Sequence, residues 1–498
     1  SAFLCWLPKL IELPELKFIN TNSDESRVAE IPVDLVLDVG NSRTCGVLFE
    51  HVGDKADFAN CYSMTWRDLS QPAFLHKGPF SSRMEFIDFY FGDEFSSNMN
   101  LNVSQRRAFS WCSMVRVGPE AQRLAGQSFG NEGEMGLSSP KRYIWDTEPS
   151  INTWYMNPHG RPKLAGRPKT DAEQAAKGDF AMSFTESGER VSDTNPFPVV
   201  TPRYSRSAMM TYFLAELFLQ AFNQVNAPYV RYNRKHFNRH RRIRRIVLTV
   251  PTAMTLEERL LFERRARDAQ ESLWSVLGQD DVKIELLNQW DEAVATQAVY
   301  LYNETRANFM GNTTRFFEQD GRERALPRSL VDKLDDQRIT QRRVESAPSL
   351  RVASLDIGGG TTDLIVTTYY LVDRRIIVPH QEFREGFNVA GDDILGTIIQ
   401  KLILPKLVNG LTDSGADRAI DVLGELVGGE REGATVASDH SMRRQFSLLA
   451  LIPAAIRLIS AYEDGYSTKR DATISMTLGS LVTGVPDARA MIEAHLKR

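Results

Sequence analysis

Apolar and polar positions fall into a few strong blocks along the chain. Val33-Asp34-Leu35-Val36-Leu37 is a mostly apolar run that ends at Asp38 and Gly40, and after a polar turn Cys45-Gly46-Val47-Leu48-Phe49 follows. Two such runs around a glycine-bearing turn predict a β-hairpin. Much later Val352-Ala353-Ser354-Leu355 leads into Asp356, and beyond three glycines Leu364 to Tyr370 completes a second hairpin. Aligned on their aspartates, from 38 to 356, the two read D-x-G-x-x-x-T at an offset of 318 residues. One recurrence at that distance predicts two related halves, because solenoid periods run only about 20 to 50 residues.

Between the hairpins, Ala208 to Asn226 has helical apolar spacing, and Ile246 to Val250 is a β-branched strand stopped by Pro251. Thr255 is placed to cap a helix whose first turn carries Glu257 and Glu258, where the helix dipole favours acids. Lys283 to Leu287 predicts a short strand and Glu292 to Asn303 a helix. Two stretches read as insertions: 147–202 is rich in Pro, Gly, Asn, Ser and Thr, and 306–348 is polar with dense mixed charge. The second marks the expected boundary between the halves.

Composition narrows the class without naming it. The chain has 498 residues, is 42% hydrophobic and 25% charged, and carries a net charge of -4, so whole-molecule attraction to nucleic acid or an anionic membrane is not expected. The four cysteines lie far apart with no C-x-x-C pair, which fits a reducing compartment and a cytoplasmic protein. No window approaches 18 consecutive apolar residues and no signal peptide is recognisable, so no membrane span is expected. The start at Ser1 and the stop at Arg498, straight after the helical-looking 487–497, suggest a fragment or processed product.

The chemistry sits in the two turns. Glycines and small hydroxyl residues between strands expose backbone N–H groups that can cradle a phosphate, and an aspartate at the strand end offers oxygen to a hydrated Mg²⁺. A glycine turn between buried strands would not explain the same carboxylate at both strand ends, since a buried carboxylate needs a partner. Gly40, Asn41, Ser42, Arg43 and Thr44 are therefore candidates for one side of a nucleotide clamp. Gly358, Gly359, Gly360, Thr361 and Thr362 are candidates for the other, with Asp38 and Asp356 approaching the metal through water.

These loops resemble the phosphate-1 and phosphate-2 segments of the actin, sugar kinase and heat-shock chaperone ATPase superfamily, and the octet DIGGGTTD at Asp356–Asp363 is their most specific match. The resemblance implies an actin-like ATPase fold, an α/β architecture of two ribonuclease-H-like lobes, each a mixed β-sheet flanked by helices. It implies a 1–30 extension, a first lobe at 31–348 and a second, incomplete lobe at 349–498. Ser139-Pro140-Lys141-Arg142-Tyr143-Ile144 is similar to the chaperone segment whose lysine reaches the γ-phosphate, which makes Lys141 a candidate. Gly386 to Ile398, with Gly391, resembles the segment opening the second lobe's helix. At Leu287-Asn288-Gln289-Trp290-Asp291-Glu292-Ala293 the chain departs from the chaperones, because Gln289 falls where they carry a glutamate. Glutamine can orient a water but cannot take a proton, so turnover is expected to be slow unless Asp291 or Glu292 substitutes. Asp363 is the candidate for polarising the attacking water. The adenosine loop is not evident; residues 479–486 are a loose match. Motif order and the unusual first loop look most like the bacterial virulence factor SrfB family.

The implied cofactors are ATP and Mg²⁺, with an unknown protein client as partner and self-association left open. Arg231 to Arg245, with Tyr232 and Phe237 interleaved, is the most basic run; nucleic acid is not expected there, and a solvated edge leading into Ile246–Val250 is preferred. The seven tryptophans form no stripe and read as packing residues. A catalytically weak scaffold on the same fold and a small-molecule kinase stand as the alternative functions.

Overall fold

The computed structural model describes residues 29–466, apart from 54–57, 72, 88–89, 92–108, 128–132, 158–174, 193–196, 253, 280–281, 338–342, 388, 416–417, 428–442 and 444–445, together with 477. The fold is mixed α/β with several sheets. The first hairpin, β1 (Ile31–Val39) and β2 (Arg43–Glu50), is antiparallel with Asp38 opposite Cys45 and Val39 opposite Thr44. β3 (Cys61–Ser63) and β4 (Phe80–Ser81) also pair with β2. β5 (Arg83–Phe86) lies between β6 (Val115–Val117) and β7 (Gly136–Ser138) in a small sheet, and α1 (Gly118–Gln127) follows β6 directly.

The first sheet is completed on the other edge of β1. After α2 (Ala208–Asn226), β8 (Arg241–Val250) runs parallel to β1, and after α3 (Leu256–Val276), β9 (Glu285–Asp291) runs parallel to β8. α2 is apolar nearly all round and is correspondingly buried, as a helix enclosed by core must be. α3 begins with the expected cap: the Thr255 hydroxyl accepts from the Glu258 N–H at 3.2 Å, and Glu258 accepts from the Thr255 N–H at 2.9 Å. α4 (Glu292–Asn303) starts where β9 ends.

The second hairpin heads a separate sheet. The 306–348 stretch, expected as an insertion, contains α5 (Thr313–Asp320), β10 (Arg322–Ala325) and α6 (Arg328–Asp336). β11 (Ser346–Ile357), β12 (Thr362–Val372) and β13 (Ile376–Phe387) follow, and the four strands form an antiparallel sheet in the order β10-β11-β12-β13. The sheet therefore begins before the expected boundary at 348. Phe316 and Phe317 of α5 and Leu330, Val331 and Leu334 of α6 bury themselves against it, enough apolar contact to fix helices that look polar by composition. α4 crosses onto this sheet through Gln297, which bonds both Ser354 and Tyr369.

The described parts of 147–202 also belong to the first core: Trp154, Phe180 and Phe184 are buried within it. The repeat is imperfect in packing. Leu37 is wholly buried, whereas its counterpart Leu355 is 58% exposed. Trp145 and Trp290 are exposed, so packing does not account for every tryptophan.

Beyond β13 come α7 (Gly391–Ile398), a π-helical turn at Ile399–Ile403, α8 (Leu404–Asp413), a second such turn at Ser447–Leu451, and α9 (Ile452–Tyr466). Gly391–Asp413 spans 23 residues and contains an 18-residue window with a mean hydropathy of 1.3, which meets a membrane span in length and composition alone. Ile403 and the flank of Leu395, Ile398 and Leu407 pack with Ala454 and Ala455 of α9.

The basic run is not a solvated edge throughout. Arg241 is buried against Glu50, its Nε 3.3 Å from Oε1, and donates to the carbonyls of Lys235, His236 and Arg239. Arg244 and Arg245 pair with Asp34, and Arg242 with Glu30. Removing one partner of a buried pair strands the other, so Glu50→Ala is expected to cost about 3 kcal/mol, the carbonyls keeping the loss at the low end. Urea unfolding should show a lower midpoint at unchanged slope; an unchanged midpoint would show that the carbonyls alone satisfy Arg241.

Candidate functional site

The two hairpin turns are closed in the same way. The Gly40 N–H donates to the Arg43 carbonyl at 3.0 Å, and the Gly358 N–H donates to the Thr361 carbonyl at 2.9 Å. A Cβ built on Gly40 would lie 2.6 Å from the Arg43 oxygen, so the turn needs glycine. Closing each turn through one bond leaves the N–H groups of Asn41, Ser42, Gly359 and Gly360 without a backbone partner among the described residues. Such runs of unengaged amides make anion-binding concavities.

Both turns open on one cavity of about 490 Å³, whose walls include Asp38, Asn41, Lys141, Glu292, Asp356 and Asp363. The loops meet across it: a Cβ on Gly359 would collide with the Ser42 side chain. A second chamber of about 510 Å³ shares Asn41, Lys141 and Thr361 and extends toward Trp145 and Glu258. Asn41 Oδ1 is buried with no hydrogen-bond partner among the described residues, an orphaned polar atom on a residue that lines both chambers.

Several residues expected at the ligand instead hold the loops. The buried Thr44 hydroxyl bonds Ser82 Oγ at 2.8 Å, and Ser82 in turn donates to the Gly40 carbonyl at 2.7 Å. Thr362 donates to the Val389 carbonyl at 2.6 Å. The Gly391 and Asp392 N–H groups, at the start of α7, donate to the carbonyls of Gly358 and Gly359 at 2.9 and 2.8 Å. The helix N-terminus is thereby spent on the loop.

The charged groups are coupled. Lys141 is almost wholly buried and places Nζ 2.9 Å from Glu292 Oε1. Burial raises the Glu292 pKa and the nearby Asp38 and Asp356 raise it further, while Lys141 opposes them. Burial likewise raises Asp356, with Asp38 and Asp291 adding like charge and Lys141 opposing. Asp38 accepts from Thr249 Oγ1 at 3.0 Å, and Asp363 is buried in the cavity wall. Arg142 Nη2 reaches Asp392 Oδ2 at 2.9 Å, joining the first loop's side of the cleft to the second's.

Gln289 does not join this group. β8 and β9 slip register between Val247–Leu287 and Thr249–Trp290, and the extra residue leaves Gln289 exposed and off the cavity wall. Asp291 is spent as the cap of α4, accepting from the Ala293 and Val294 N–H groups and from Thr252. Glu292 is the carboxylate delivered to the cavity. Its signal in the sequence was the cap itself, since the residue after an N-cap aspartate starts the helix at the strand end. Asp392 was not foreseen. Residues 479–486, the loose adenosine-loop match, lie outside the described residues.

Among the described residues no three His, Cys, Asp or Glu side chains converge to hold a metal ion by themselves. Cys45, Cys61 and Cys112 are free thiols.

Fold and site together define a mixed α/β protein with two like turns lining one cleft. The family model described as Virulence factor SrfB matches residues 2–498, and the chain belongs to that family. No curated protein matches. Among solved structures, a non-polymerising mutant of MamK bound to AMPPNP is similar at 12% identity and a TM-score of 0.25, over 86% of this chain and 80% of that one. A non-polymerisable quadruple mutant of pCBH ParM is similar at 10% identity and a TM-score of 0.25, over 94% of this chain and all of the other. Superpositions at that score assign nothing to this chain.

The carboxylate crowding has a measurable consequence. Because the folded pKa of Asp356 lies above its unfolded value, its ionisation costs stability; the cost is absent below the ordinary carboxylate range and full above the raised value. Asp356→Asn should therefore raise the melting temperature of the ligand-free protein at neutral pH, with the gain fading on acidification. A lower melting temperature at pH 7 would contradict this assignment.

Proposed function

We propose that the chain binds Mg-ATP between two lobes of an actin-like ATPase fold, 31–348 and 349–498, and hydrolyses it slowly as a nucleotide-gated conformational protein. The observation that supports this reading is the twice-made turn, with unengaged amides on opposite walls of one cavity of about 490 Å³. Two facing nests suit a ligand with more than one phosphate better than a single anion. The orphaned Asn41 Oδ1 and the mutual repulsion of Asp38 and Asp356 fit a bound cation and polar ligand. Asp38 and Asp356 would hold Mg²⁺ through its waters, and the ion would supply charge neutralisation on the phosphates.

In this reading Gly40–Arg43 grip the β-phosphate side and Gly358–Thr361 the γ side. Lys141, steadied by Glu292, directs its ammonium at the γ-phosphate. Water attacks the γ-phosphorus, the bond to the β–γ bridging oxygen breaks, and ADP leaves with the electron pair. Asp363 orients and polarises that water and Glu292 accepts its proton; Gln289 has no part. The exposed Arg142–Asp392 pair contributes at most about 1 kcal/mol, so it can open and close with the lobes.

Steady-state ATPase assays test these roles. Asp363→Asn should lower kcat about a hundredfold with little change in nucleotide affinity. Wild-type turnover should fall on acidification at a pH above the ordinary glutamate range, because a raised pKa protonates Glu292 early, and Glu292→Gln should be slow with that acid limb removed. Unchanged turnover in both variants would sink the catalytic reading.

A further inference from the structure

Behind the first loop lies another cavity, of about 650 Å³, larger than either chamber of the phosphate cleft. It shares Ser42, Arg43, Arg142 and Asp392 with the cleft's two chambers, so the first loop is the partition between them. Its two walls differ in chemistry. One comes from the first unit and carries the hydroxyls of Ser81 and Ser139 and the Arg43 guanidinium. The other comes from the helices after β13 and is aliphatic, with Leu395, Ile399, Leu448 and Ile452.

Three observations point to a ligand. Arg43 is exposed and makes no ion pair among the described residues, whereas Arg142 beside it is already paired with Asp392. The aliphatic wall is only partly buried, so its apolar area is left for something else to cover. Both π-helical turns that interrupt these helices, Ile399–Ile403 and Ser447–Leu451, contribute lining residues, and such interruptions concentrate at functional sites. We infer that this cavity binds a small amphipathic anion, its carboxylate or phosphate head on Arg43 and the serine hydroxyls and its aliphatic body on Ile399 and Ile452. The volume is that of an ordinary small-molecule site. A ligand there touches both units and the back of the loop, so its binding is coupled to nucleotide. The site stands without the nucleotide reading; the coupling rests on it.

Calorimetric titration of the full chain with octanoate, n-octyl phosphate and uncharged n-octanol tests the site, the two anions separating carboxylate from phosphate preference. At least one anion should bind saturably and octanol should not. Arg43→Gln, on an exposed side chain, should weaken the anion about tenfold or more at unchanged circular dichroism. Ile452→Asp should do the same, and because Ile452 does not line the phosphate cleft, its effect separates this cavity from a phosphate group caught between the loops. Saturating AMPPNP with Mg²⁺ should shift the anion's affinity, and the anion should shift that of AMPPNP by the same factor. No saturable binding of either anion, equal binding of octanol, or wild-type affinity in both variants would overturn the site. Failure of AMPPNP to bind while the anion still binds would instead count against the nucleotide reading alone.

Discussion

A backbone bond from a glycine N–H to a carbonyl three residues on, made once in each hairpin, is the constraint on which the cleft depends. It turns the chain at the strand end so tightly that the next two amides cannot join the sheet ladder. An amide left unpaired away from water costs about 1–3 kcal/mol, so these groups must face solvent or a ligand. The surroundings are arranged to hold that exposure open. Thr44 and Ser82 brace the first loop, while Thr362 and the first amides of α7 brace the second. Residues that look like ligand contacts by motif are in several cases the scaffold that keeps the amides unengaged.

Electrostatics then decides which side chains can act. Asp38, Asp356, Asp363 and Glu292 share a cavity wall, and Lys141 is the buried cation set against them. Burial and like charge outweigh Lys141 at Glu292 and Asp356, both of which are raised. In the proposed reading, a cation entering with an anionic ligand would relieve the carboxylates as the amides would relieve the phosphates. Ionising these carboxylates therefore costs the fold stability, a cost that the proposed charged ligand would offset.

Elements with a local grammar could be read without the structure. α2 and α4 have the bounds their periodicity predicts, and Thr255 caps α3 with Glu258 as its partner. The two turns were also legible, since glycine, small polar residues and a strand-end aspartate leave little choice of conformation. What failed depended on tertiary contact. The helices of 306–348 each bury only two or three apolar side chains, too few to outweigh their charged composition in sequence. Gln289 was misplaced because a single bulged residue shifts the register, and the shift is set by the partner strand. Arg241 looked like surface until β8 carried it to Glu50.

Membership of the SrfB family gives the chain relatives but not a chemistry; the chemistry is argued from the two loops and what lies between them. The central claim is that both loops grip one nucleotide. Isothermal titration of the protein with ATP in the presence of Mg²⁺, repeated with Gly40→Val and with Gly358→Val, addresses it directly. The account predicts one ATP per chain, with affinity lost in either variant. No saturable heat, two sites per chain, or full affinity after one loop is blocked would contradict it.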